Sequence, residues 1–171
     1  ATLVAAWEAE NEYRVGLSGV ARERWSAQQS VTVPTRPHYL LAERGGTVLA
    51  VARRPGDWLL RWRPGTAQQQ WHWIGGDRRF NGHAIASPDG QRIYTTETDL
   101  ETGVSLIGVR DASSLAKLAE WPTHGIDAHE LIWDTSNPQD GAPTLLVANG
   151  GVPTAPETGR VKRQLETMDS S

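Results

Sequence analysis

The sequence predicts an all-β chain, a partial β-propeller of about three and a half four-stranded blades taken from a ring of about seven. Three observations predict it. Trp is abundant, at eight, against one Phe and one Met, and the 171 residues include 17 Gly and 10 Pro. That mixture favours short strands joined by tight turns, because ordinary helices tolerate neither Gly nor Pro well. A unit of His, apolar strand, turn and second strand opens at His38, His83 and His129, at spacings of 45 and 46 residues. One four-stranded propeller blade has a period of roughly 40–50 residues. Helical solenoids have similar periods, but these segments are punctuated by Gly45-Gly46, Arg63-Pro64-Gly65 and Pro88-Asp89-Gly90, which read as turns between strands.

With the strands of a blade named A to D, the elements follow in order. Residues 2–6, 13–17 and 30–33 match strands B, C and D of a first unit. The second unit is complete, with strands at 38–42, 47–52, 57–63 and 70–74. The third is complete too, at 83–86, 92–96, 104–110 and 117–121. The fourth supplies only A and B, at 129–133 and 144–149. The blade parts are therefore 1–34, 38–76, 83–122 and 129–168. A helical turn or two fits residues 113–119, and residues 161–168 have some helical character. The pattern starts and stops in mid-blade, and open sheet edges invite pairing. The chain is thus expected to be a piece of a longer protein whose remaining blades lie outside it.

Composition excludes several classes of function. There is no Cys, hence no disulfide, thiolate metal site or Cys nucleophile. The net charge is −3, with no run of five like charges, which sets nucleic acid aside as a partner. No apolar stretch approaches the ~20 residues that a membrane-spanning helix needs.

Topology then sorts the polar residues. In a propeller the loop entering strand A and the loop leaving strand B open on one face. That face gathers residues 7–12, 35–38, 53–57, 77–83, 97–102, 124–130 and the long segment from Asn149 onward. The three His that open the A strands are expected to form an arc there, near the channel mouth. Glu97 follows strand B of the same blade as His83, and Glu130 follows His129. His and carboxylates converging in this way suit a divalent metal ion or acid–base work. The candidate ligand-binding set is His83, Glu97, His129, Glu130, Asn149 and Arg160, with His83, His129 and Glu130 as metal ligands. The competing reading is structural: a His at a strand start hydrogen-bonds across its own blade. Arg160, Lys162 and Arg163 in the last loop would either meet an anionic ligand or stand in solvent. Ser87 and Ser136 fall in turns on the opposite face, so a Ser-His-Asp site has little support. Trp62, Trp71, Trp73 and Trp121 are expected to pack between blades, with the indole N–H bonded at an edge. Trp7 lies on the loop-rich face.

Three blocks of sequence carry a resemblance. The first is His83-Ala84-Ile85-Ala86-Ser87-Pro88-Asp89-Gly90 followed by Tyr94-Thr95-Thr96-Glu97. The second runs from His124-Gly125-Ile126-Asp127 into Ala128-His129-Glu130-Leu131. The third is Val147-Ala148-Asn149-Gly150-Gly151 with Thr158-Gly159-Arg160, Lys162, Leu165 and Thr167-Met168. Together they resemble a bacterial family of propeller proteins of unknown function, itself distantly similar to the propeller chains of amine dehydrogenases. The resemblance implies twin-arginine export and a periplasmic location. It also implies genes encoded beside imelysin-like, iron-associated proteins and dihaem oxidase-like proteins. It carries over no catalytic residue.

The expected function is a non-enzymatic periplasmic binding or scaffold protein in an iron- or metal-related system, with a periplasmic protein partner. The alternative is a metal-dependent, lactonase-like hydrolase with its site at the channel mouth. A third reading is a redox partner that docks another subunit and holds no redox centre itself.

Overall fold

The computed structural model describes residues 2–21, 24–139 and 141–152. Among these residues every regular element is a strand. None forms a helix long and apolar enough to cross a membrane.

Thirteen strands form four separate antiparallel sheets. The first holds β1 (Thr2–Ala9), β2 (Glu12–Ala21) and β3 (Arg24–Val33). The second holds β4 (Pro37–Ala42), β5 (Val48–Ala52), β6 (Trp58–Trp62) and β7 (Gln69–Trp73). The third holds β8 (Arg78–Ala86), β9 (Arg92–Asp99), β10 (Ser105–Asp111) and β11 (Lys117–Pro122). The fourth is the pair β12 (Ala128–Gln139) and β13 (Ala142–Asn149). Within each sheet the strands lie side by side in chain order, as tight turns between antiparallel neighbours dictate. Successive sheets meet at their first strands, β1 with β4, β4 with β8, and β8 with β12.

The strand sequence B-C-D, A-B-C-D, A-B-C-D, A-B matches the repeat read from the sequence. The helical turn expected over 113–119 is absent. Asp111 Oδ1 accepts hydrogen bonds from the backbone N–H of Ser113 and Ser114 instead, an Asx-type turn that feeds directly into β11. Residues 161–168 lie outside the described residues.

The core explains why β5 reads as a continuous apolar run. Side chains alternate across a strand. Leu49 and Val51 pack with Leu59, Phe80 and Ile93 between the second and third sheets. Ala50 and Ala52 pack with Val15, Val33, Trp58 and Trp62 between the first and second. All five residues of β5 are therefore buried, as expected for a strand covered on both faces. The Trp58 indole N–H donates to Thr35 Oγ1 at 2.8 Å, so its polar end is satisfied.

Trp placement departs in part from expectation. Trp62 is buried, but Trp73 and Trp121 are about half exposed, at 54% and 47%. Both lie on the last strand of their sheet, where no further strand covers them. Trp71 stacks on Trp73 with ring centroids 5.9 Å apart, and Trp121 leans on Tyr94 at 5.7 Å.

Candidate functional site

The first strands of three successive sheets each carry an irregularity that contains a His; β12 has a second, farther along, that does not. Pairing of β4 with β5 runs Pro37↔Ala52 and then Tyr39↔Val51, so His38 is the extra residue. Pairing of β12 with β13 runs Ala128↔Asn149 and then Glu130↔Ala148, so His129 is the extra residue. Pairing of β8 with β9 jumps from Phe80↔Glu97 to Ala84↔Thr95, which leaves Asn81, Gly82 and His83 out of register. A bulge frees a side chain from the up-and-down alternation and re-aims it. Three bulges in corresponding places re-aim three imidazoles toward one point.

There they meet. One ring nitrogen from each of His38, His83 and His129 lies within 4.8 Å of the other two. His38 Nε2 and His83 Nε2 are 3.1 Å apart, and the His83 and His129 ring centroids are 4.5 Å apart. Nitrogens sharing one tetrahedral ion at bond lengths of about 2.0–2.1 Å sit about 3.3 Å apart, so the first pair already has ligand spacing. His83 is buried, His129 is half-buried and His38 is exposed. The group therefore has a floor in the protein and an open side at His38.

Local packing fixes the rings. Gly82 has φ +113°, and a Cβ there would lie 2.6 Å from His38 Cδ2. Only glycine both adopts that backbone and leaves room for the ring. Asn81 donates to the Ala128 carbonyl at 3.0 Å and accepts from Thr98 Oγ1 at 2.8 Å, which ties the β8 bulge to the start of β12. Asp127 is buried at φ +60° and is held by Arg54 and by the Gly150 N–H on its carbonyl.

Electrostatics favour neutral imidazoles at His38 and His83. His38, exposed as a residue but with its ring packed against those of His83 and His129, is pushed down to about 4, first by that partial burial and then by His83, His129, Arg53 and Arg54. His83 is also lowered, mainly by burial, with Glu130 opposing. A neutral ring is the form that binds a metal. Burial, helped by Glu130, raises the Tyr39 phenol, whose ring lies 5.2 Å from that of His83.

The remaining residues singled out in the sequence go to different places. Glu130 Oε2 lies 3.3 Å from His83 Nδ1, the nitrogen opposite the one that faces His38. It is therefore placed behind His83, where a carboxylate orients a ligating His, and not among the three converging nitrogens. Glu97 is not on the loop-rich face at all. β8 starts at Arg78 and extends its pairing to Asp99, so Glu97 falls inside β9 and points between the second and third sheets. It is fully buried, with Arg110 Nη2 at 2.6 Å and Lys117 Nζ at 2.6 Å. Thr95 Oγ1 also donates to it at 2.7 Å. Arg110 in turn reaches His72 and the Leu115 carbonyl. This network joins two sheets. Asn149 Oδ1 accepts from Thr123 Oγ1 at 2.8 Å, holding the loop that leads into β12. Arg160 lies outside the described residues.

The position His38 was readable from the repeat as part of the arc, but its place as a third nitrogen donor was not. The bulges that bring the rings together depend on strand pairing, which no local sequence pattern reports. Asp77, Asp99 and Glu101 form a second group at ligand spacing, but Arg78 already pairs with Asp77 and Asp99.

No curated protein matches the chain. A family described as "Protein of unknown function (DUF1513)" matches residues 31–171, a span that contains all three His and every residue that orients them. The chain belongs to that DUF1513 family.

Proposed function

We propose that the chain is part of a β-propeller that binds one transition-metal ion through His38, His83 and His129. In this reading it is a non-enzymatic periplasmic protein of an iron- or metal-related system that works with a protein partner. The carrying observation is the set of three bulged His whose nitrogens converge within 4.8 Å. Imidazole donors suit zinc, copper, iron and nickel better than calcium or magnesium. Sheets that repeat every 45 or 46 residues and meet at their first strands support the propeller reading. The periplasmic and iron-related parts rest on the family resemblance, with its twin-arginine export and imelysin-like neighbours.

Metal analysis by mass spectrometry tests this on the purified protein, beside a His83→Ala/His129→Ala variant. One equivalent of iron, copper or zinc, lost in the variant, is the expected result. Metal retained by the variant, or absent from the wild type after loading, sinks the metal centre.

One observation favours the alternative of a lactonase-like hydrolase. Three His ligands leave a coordination position free, and catalytic zinc sites keep a position open for water. Turnover of a lactone or phosphoester by the metal-loaded protein, abolished by the same variant, would decide for it.

A further inference from the structure

We propose that the open position of the three-His centre takes an exchangeable oxyanion, a carboxylate or a phosphate, held jointly by the metal and by Arg36. The proposal rests on the metal reading above. Three neutral imidazoles leave the charge of a divalent ion uncancelled. Among the described residues no carboxylate shares the ligand spacing of the three nitrogens. Of the nearby acids, Asp127 is committed to Arg54, Glu130 sits at the far nitrogen of His83, and Glu8 is exposed on the β1 wall of the cavity. Cations stand on the open side too. The Arg53 backbone N–H donates to the Arg36 carbonyl at 2.9 Å, which pairs these two exposed residues across neighbouring strands, and Arg36 lines the same cavity as the exposed His38. Neither arginine has a carboxylate within ion-pair distance among the described residues. A guanidinium beside a metal with a vacant position matches the planar, two-oxygen face of a carboxylate or phosphate.

The space on this side has room for more than a headgroup. A cavity of about 550 Å³ opens between the first and second sheets, lined by Trp7, Tyr13, Arg36, His38 and Leu40 among others. That volume lies in the range of small-molecule sites. Trp7, Tyr13 and Leu40 offer an apolar wall for the body of an organic anion.

Cobalt(II) loading makes the inference testable, because a His-bound cobalt ion absorbs visible light and reports its fourth ligand. The cobalt protein would be titrated with inorganic phosphate and, separately, with benzoate at constant ionic strength. Wild type should show a saturable spectral change with at least one of them. The Arg36→Ala/Arg53→Ala variant should bind cobalt as well as wild type but need about tenfold more anion, about 1.4 kcal/mol. Tighter binding of benzoate would assign the site to organic acids, and tighter binding of phosphate to free or esterified phosphate. A normal cobalt spectrum unmoved by either anion overturns the oxyanion site and leaves the metal centre standing. Equal anion affinity in variant and wild type overturns the role of the arginines. A wild type that gives no His-type cobalt spectrum instead defeats the metal centre itself.

Discussion

At the scale of single residues, His38 and His83 are held away from the protonated state, first by burial and then by the charges around them. The sign of the resulting pH effect follows from linkage. His38 lies at about 4 in the fold against 6.5 as its ordinary value. The unfolded chain therefore takes up the proton first as pH falls. The stability tied to this imidazole is full above pH 6.5 and is lost on the way down to about pH 4. His83 moves in the same direction, while Glu130, facing it, counteracts part of the effect. Thermal melts of the metal-free protein should thus fall more steeply between these limits than melts of His38→Gln. Parallel curves would show that His38 titrates freely. Metal affinity should follow the same course, since protons and metal compete for the same nitrogens.

At the scale of elements, β9 and β10 carry a buried ion pair, one member of which, Glu97, the sequence places among the candidate ligand-binding residues. Glu97 and Arg110 are both fully buried. Removing one partner strands the other charge, at a cost of about 3–5 kcal/mol. Glu97→Ala should lower the unfolding free energy by that order in urea titrations, with metal content unchanged. Glu97→Leu combined with Arg110→Met should cost much less than Glu97→Ala, because a buried pair replaced by apolar groups is often neutral. Loss of metal in Glu97→Ala without loss of stability would return Glu97 to the ligand shell. The misplacement has a physical origin. Strand order, turn positions and approximate bounds were legible, because alternation and Gly-Pro punctuation are local. The point at which pairing stops is not local. Glu97 was read as a loop residue because β8 reaches back to Arg78, and that extension depends on partners fifteen or more residues away. His38 was legible as a repeat position for the opposite reason, since spacing alone supplies it.

At the scale of the whole molecule, burial is concentrated in the middle sheets. Every residue of β5 is buried, as is almost all of β6 and β10, whereas β11 and β13 are largely exposed or half-exposed. Opening should follow that gradient. Native-state hydrogen exchange should find the slowest amides in β5, β6 and β10, and much faster ones in β11 and β13. Uniform protection across all four sheets would mean that they unfold as one unit. The overall plan of sheets was visible in the 45- and 46-residue repeat. The contacts between successive sheets were not, because they are set by packing of β4 on β8 and β8 on β12.

The triple bulge has a consequence for how such a centre can arise. A unit copied along a gene carries its irregularities with it. A single kinked strand bearing one imidazole needs no ligand chemistry of its own, and nothing selects for metal while it stands alone. Repetition changes that: once neighbouring copies lean on one another, a kink at the matching position of each, one residue in β4 and β12 and three in β8, brings its imidazole to the same place. The donor set is then a product of symmetry between copies, and later divergence needs only to trim the neighbours, as Gly82 does for His38.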